Sequence, residues 1–210
     1  MLIFSSAADP FYNKRLIDRY LVAAIAGGLK PIIAINKSEL IDNEILLEDL
    51  AVYQEMGIDL FLISVIEKTG LNELYKHLEN NKTVITGQSG VGKSTFVNEI
   101  LGNKQQTVGK ISDSTAKGQH TTSFVRMFKA KNNTHIIDTP GIREFALHGI
   151  SKHELPTYFI DFLEFHNQCK FTPCSHTHEP KCAVKNAVEN GQINFERYES
   201  YLLLSESIEQ

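Results

Sequence analysis

The stretches "GQSGVGKST" at residues 87–95 and "AINKSEL" at residues 34–40 decide how this 210-residue chain is read. The first follows the apolar run "TVIT" and precedes "FVNEIL", so a Gly-rich loop joins a strand to a helix. Gly87-x4-Gly92-Lys93-Ser94 is a phosphate-binding pattern. Its glycines let successive backbone N–H groups turn inward around phosphate oxygens, and the helix start adds the positive end of its dipole. Gly87, Gln88, Ser89, Gly90, Val91, Gly92, Lys93, Ser94 and Thr95 are therefore candidate nucleotide contacts. Lys93 is assigned to the β and γ phosphates and Ser94 to Mg²⁺.

"AINKSEL" follows the buried-strand pattern "PIIAI", and a nucleotide-contacting loop belongs at the C-terminal end of such a strand. Asn36 is a candidate for the purine edge and the Lys37 stem for the ring face. Glu39 can accept from N1–H and the 2-amino group, donors that guanine has and adenine lacks. Asp is usual at this place, and Glu is one methylene longer. Ser64-Val65, after "DLFLI", is a second candidate base loop, offering a backbone N–H to the guanine oxygen.

"HIIDTPG" completes the set. Asp138 ends an apolar strand 44 residues after Ser94, where a carboxylate reaches Mg²⁺ through water, and the Gly141 N–H can sense the γ phosphate. Between the two motifs lies "GKISDSTAKGQHTTSF", polar and Gly-containing as a switch segment requires. Thr121 or Thr122 is the Mg²⁺ ligand of that segment. Thr122 is preferred, and spacing alone does not separate them. Ile142 stands where many GTPases place a water-orienting Gln. His120, beside the threonines, is the candidate for that work, because an imidazole with a near-neutral pKa can position or activate water. Lys110, Lys117 and Arg126 flank the same switch and are candidates for RNA phosphates.

Working outward, strand-like runs ("MLIFSS", "KPIIAIN", "DLFLIS", "KTVITG", "SFVRMFKA", "THIIDTPG") alternate with amphipathic helical runs as far as about residue 150. This predicts an α/β domain with a mostly parallel, Ras-like sheet and helices on both faces. After it, "ISKHELPTYFIDFLEF" reads as a helix, followed by a Cys/His knot and two helices around Gly191. The expected division is a GTPase domain over residues 1–152 and a small helical domain over 153–210. The motif order is base loop, second base loop, phosphate loop, switch threonine, DTPG. Each half keeps its internal order while the halves are exchanged, so the GTPase core is circularly permuted. Surface termini that lie close together make such a rearrangement cheap.

Cys169-x4-Cys174-x-His176-x5-Cys182 offers three thiolates and an imidazole within 14 residues. Zn²⁺ favours such closed tetrahedral sets, which predicts one structural ion. His178 is an alternative ligand to His176.

The permuted order, with "GQSGVGKS", "GQHTTS" and a Cys/His segment behind "DTPG", resembles the circularly permuted, small-subunit-dependent GTPases of the RsgA or YjeQ family. "NKRLIDRYLVAA" also looks like that family's opening helix. The resemblance implies a cytoplasmic bacterial protein that acts late in small ribosomal subunit maturation, binds GTP and GDP, and contacts the subunit's rRNA. It also implies hydrolysis stimulated by the subunit, points to His120, and matches the zinc spacing. Family members usually carry an N-terminal OB-fold. This chain starts where the GTPase begins, so it reads as a naturally short protein or a fragment.

Composition limits the alternatives. Residues 1–150 carry 16 basic and 16 acidic residues, and 151–210 carry 5 and 9, so no general electrostatic grip on nucleic acid is expected. No apolar run approaches the ~18–20 residues of a membrane span. Three clustered cysteines without a secretory leader favour a cytosolic metal site over a disulfide framework. A monomer is expected. The competing readings are a nucleotide-gated RNA- or ribosome-binding module with incidental hydrolysis, and a permuted GTPase of another ribosome assembly step.

Overall fold

The structure is a computed structural model describing residues 1–102, 107–110 (backbone only), 126–138 and 149–208. The chain forms two compact units. One comprises Met1–Tyr12 and Pro31–Glu144, the other Asn13–Lys30 and Phe145–Gln210.

Among the described residues the first unit has seven strands: β1 (Leu2–Ser6), β2 (Ile32–Asn36), β3 (Asp59–Leu62), β4 (Lys82–Thr86), β5 (Thr107–Lys110), β6 (Arg126–Lys129) and β7 (His135–Asp138). Their order across the sheet is β3-β2-β1-β4-β7-β6-β5. The pairs β3/β2, β2/β1, β1/β4 and β4/β7 are parallel, whereas β6 runs antiparallel to both β7 and β5. The sheet is thus mostly parallel, as expected. Strand β5 was not anticipated, because its "TVGK" lacks the apolar alternation that marks a strand.

Strands β1 and β2 are buried at every position. Leu2, Phe4 and Ala34 share one apolar cluster with Leu71, Leu74 and Leu78 of α3 (Leu71–Leu78) and Phe96 and Val97 of α4 (Lys93–Leu101). The Phe4 and Phe96 rings lie 5.0 Å apart. Because side chains alternate along a strand, Ile3, Ile33 and Ile35 point to the opposite face, and they are buried as well. Both faces of the central strands are covered, which is why these strands read as continuous apolar runs. Helix α2 (Asn43–Glu55) connects β2 to β3, its first turn capped by Asp42, which accepts from the Glu44 N–H.

The second unit gathers α1 (Lys14–Ala26), α5 (Leu163–His166), α6 (Ala183–Glu189) and α7 (Phe195–Ser207). Val22 of α1 lies in one buried cluster with Leu155, Phe159, Phe162, Val184, Ile193 and Tyr201. Arg197 of α7 is 3% exposed and bonds Asp18 of α1 at 2.6 Å and Asp161 at 2.8 Å. Its guanidinium also lies 4.6 Å from the Phe159 ring centroid. Burial opposes the Arg197 charge, but Asp18 and Asp161 more than offset it and push its pKa up. The division drawn from the sequence at 152/153 differs from these units in the place of the cut, 144/145, and in one element. Segment Asn13–Lys30 packs with the C-terminal segment, through Val22 and the Asp18–Arg197 pair.

The helix expected over residues 150–165 is not continuous. Two short 3-10 turns, Leu155–Tyr158 and Ile160–Phe162, precede the single turn of α5. Pro156 sits in the first turn, and Phe159 adopts extended backbone between the two. That geometry brings the Phe159 ring within 5.1 Å of Phe162 and 5.2 Å of Tyr201. Aromatic packing outweighs helix propensity in a segment too short to hold a helix by itself.

Breaking a buried ion pair by removing one of its members costs about 3–5 kcal/mol, and Arg197 is the buried cation shared by Asp18 and Asp161. An Arg197→Leu variant is expected to show a loss of that order in urea unfolding followed by tyrosine fluorescence. An unchanged midpoint would show that the triad contributes nothing.

Candidate functional site: a nucleotide-binding edge and a metal centre

The C-terminal ends of the parallel strands carry the sequence motifs of the first unit. Strand β4 runs into residues 87–92, and α4 begins at Lys93. A Cβ on Gly87 would meet Phe4 O at 1.9 Å, and one on Gly92 would meet Asn36 Nδ2 at 2.4 Å. Both also have positive φ, so only glycine fits. Gly92 therefore serves two motifs: it ends the phosphate loop at the start of α4 and makes room for the base-loop asparagine.

Asn36 ends β2 and is 4% exposed. Its Nδ2 donates to Val91 O at 2.9 Å, and its Oδ1 accepts from Val65 N at 3.1 Å. One side chain thus joins the base loop, the second base loop and the phosphate loop. Of the Ser64-Val65 pair, from which a backbone N–H toward the guanine oxygen is expected, the Val65 N–H donates to Asn36 Oδ1 in this structure. Val65 acts here as a link between loops. Ser64 is fully buried: its N–H bonds Thr69 O, and its Oγ accepts from Glu67 N at 3.0 Å. Ser38 N donates to Ile63 O, which ties the base loop to the end of β3.

Lys37 adopts left-handed backbone, and its Nζ donates to the Asp9 carbonyl. The loop after β1 is thereby a further wall of the site, which sequence reasoning missed. "SAADPF" has no phosphate or base signature, and only the sheet order places β1 between β2 and β4. Glu39 Oε2 and Gln88 Oε1 are buried atoms with no hydrogen-bond partner among the described residues. Both belong to segments assigned to nucleotide binding and both are acceptors that call for a donor; the N–H groups of a guanine edge are donors of that kind for Glu39.

Lys93 Nζ donates to Gly87 O at 2.7 Å and to Gln88 O. Burial lowers its pKa and Asp138 works against that shift. The parallel register places Asp138 beside Ile85, one strand from the phosphate loop. Ser94 and Thr95 are exposed in the first turn of α4, and Arg126 is exposed on β6. Lys117, His120, Thr121, Thr122, Gly141 and Ile142 lie outside the described residues, as does the Lys110 side chain.

In the second unit the ligand atoms of Cys169, Cys174, His176 and Cys182 lie within 4.8 Å of one another. Cys169 Sγ is 3.8 Å from Cys182 Sγ, and His176 Nδ1 is 3.6 and 3.2 Å from those two sulfurs. Metal–sulfur bonds of about 2.3 Å and a metal–nitrogen bond of about 2.0 Å give tetrahedral edges of about 3.8 and 3.5 Å. The four donors fit Zn²⁺ in identity, and Cys169, Cys182 and His176 fit it in spacing. Between the two histidines open at the sequence level, the fold selects His176, which is fully buried. His178 is exposed and bonds Thr177 Oγ1.

Burial pushes the Cys174 thiol up to about 12 and raises Cys182. Burial, then His166, lowers His176 to about 4. The knuckle is shaped from outside the four ligands. Glu179 accepts from Ser175 N at 2.8 Å and Thr177 N at 3.3 Å. Burial opposes its charge, but the Ser175 hydrogen bonds prevail and hold it at about 2. Tyr198 and Tyr201 donate to the His176 and Ser175 carbonyls. Spacing rules find metal ligands but not the two tyrosines, which arrive from α7, 22 and 26 residues beyond their acceptors.

The chain matches the RsgA GTPase family over residues 1–148. A small ribosomal subunit biogenesis GTPase RsgA from Chlorobaculum parvum is 42% identical over 210 residues, covering 100% of this chain and 68% of that protein. Another, from Ectopseudomonas mendocina, is 41% identical over 204 residues, covering 96% and 59%. Among solved structures, YjeQ from Thermotoga maritima superposes with a TM-score of 0.80 at 30% identity, covering 98% of this chain and 69% of that one. YloQ, described as a circularly permuted GTPase, gives 0.79 at 31%, covering 99% and 67%. Permuted motif order, sheet order and these likenesses agree, and the chain belongs to the RsgA GTPase family.

Proposed function

We propose that this chain binds and hydrolyses GTP in late maturation of the small ribosomal subunit, with hydrolysis stimulated by the subunit. The observation that carries the nucleotide reading is the pair of Asn36 hydrogen bonds, which set base loop and phosphate loop side by side although 55 residues separate Asn36 from Val91. The small-subunit role is supported by the names of relatives about 40% identical over nearly the whole chain.

In this reading Glu39 accepts from the guanine N1–H and 2-amino group, with Lys37 along the ring. Lys93 leaves its carbonyl partners for the β and γ phosphates, and the N–H groups of 87–92 surround them. Ser94 and Thr122 would hold Mg²⁺, with help from Asp138. When bound, the ion would supply positive charge against the nucleotide phosphates. His120 positions the attacking water in place of the residue that Ile142 cannot supply. Cys169, Cys174, His176 and Cys182 hold one structural Zn²⁺, which would supply folding energy to the knuckle. No helix among the described residues is long and apolar enough to cross a membrane. A cytoplasmic monomer working on the subunit and its rRNA completes the proposal.

GTP turnover is expected to rise sharply with purified small subunits and not with large ones. Stimulation by large subunits would redirect the proposal to another assembly step. His120→Ala is expected to lower stimulated turnover by about 100-fold or more with GTP binding intact. Near-normal turnover would remove His120 from the mechanism. Glu39→Ala is expected to weaken GTP binding about 10- to 100-fold and leave ATP binding nearly unchanged, as two hydrogen bonds to a carboxylate are lost. A fluorescent-nucleotide titration with equal losses for both purines would show that Glu39 does not read the base.

A further inference from the structure

We infer that His166 is a positioning residue for the metal centre: its Nδ1 accepts the hydrogen bond that fixes the tautomer of His176 and aims the His176 Nδ1 at the ion. The inference rests on the zinc reading above.

His176 presents its two ring nitrogens to different partners. Nδ1 faces the sulfurs of Cys169 and Cys182 at 3.6 and 3.2 Å. Nε2 lies 2.8 Å from His166 Nδ1. A neutral imidazole that ligates through Nδ1 must carry its proton on Nε2. His176 is fully buried, so that proton needs a protein acceptor.

The opposite arrangement, with His166 donating to His176 Nε2, would put the proton on Nδ1 and close that nitrogen to a metal. The direction of this one hydrogen bond therefore decides whether His176 can join the three thiolates. An ion on Nδ1 requires His166 to be the acceptor, with its own proton on Nε2.

The local fold makes this contact a built one. His166 ends α5, three residues before Cys169, so the segment that delivers the first thiolate also delivers the acceptor. The His166 and His176 rings meet at 68° with centroids 5.0 Å apart. Phe162, one turn earlier, stands edge-on to the His176 ring at 6.1 Å. Ring rotation is restrained by Phe162, and the tautomer by His166. Partners of this kind set ligand orientation and typically govern metal affinity by about 10- to 100-fold.

The test uses the full chain with zinc content measured first, then transfer of zinc to an excess of chromophoric chelator. His166→Leu keeps bulk and removes the acceptor. His166→Asn places an amide oxygen near the position of Nδ1. Far-UV circular dichroism checks that each variant folds. Expected are one zinc per unaltered chain, release accelerated about 10- to 100-fold in the Leu variant, and release close to the unaltered rate in the Asn variant. A Leu variant that retains no zinc, beside an Asn variant that does, supports the role equally. Equal release from all three chains overturns it, as does equal acceleration in both variants, which would mean that ring packing matters and the acceptor does not. An unaltered chain that binds no zinc overturns the zinc reading itself and this inference with it.

Discussion

The nucleotide edge depends on one buried amide. Asn36 spends a donor on Val91 and its acceptor on Val65, at 2.9 and 3.1 Å, in a place that water barely reaches. Each bond contributes only about 1 kcal/mol net, but leaving either group unpaired there costs more. Three loops whose strands occupy different places in the sheet are thereby fixed to one another. Gly92 is part of the same constraint, because any side chain at that position would displace the Asn36 amide. A residue that sequence logic assigns to the purine is thus first a structural clamp, and its effect on a base would come through the alignment it imposes.

The two units solve the problem of long-range order differently. In the first, parallel strand register does most of the work: Asp138 reaches the phosphate loop because Ile85 is its neighbour across the β4–β7 ladder. In the second, regular structure is sparse and specific polar contacts take over. Arg197 draws Asp18 and Asp161 together, and two tyrosine hydroxyls and the Glu179 carboxylate hold the loop that carries His176. A small helical unit has little apolar area to bury, so a metal and a network of fixed polar groups are the available ways to hold one conformation.

Permutation explains why a GTPase core is legible here despite its exchanged halves. A phosphate loop needs its strand and helix, and a base loop needs the end of a strand. Neither requirement mentions which half of the chain comes first. The strand order β3-β2-β1-β4-β7 rebuilds the same edge from the exchanged halves.

What the sequence by itself determined are the features carried by short spacing. These are the glycines of 87–92, the run Asn36–Glu39, Asp138 at a strand end, and the Cys/His set of 169–182. Their chemistry depends on residues a few positions apart, and such distances are set by covalent geometry. What only the tertiary structure decided are pairings between distant segments. Examples are α1 with the C-terminal helices, the Val65 N–H with Asn36, Lys37 with the Asp9 carbonyl, and His166 with His176. The choice of His176 over His178 belongs to the same group, and so does the breaking of the helix expected over 150–165. Burial and partner geometry settle such questions, and neither has a fixed offset along the chain that a reader of the sequence could count.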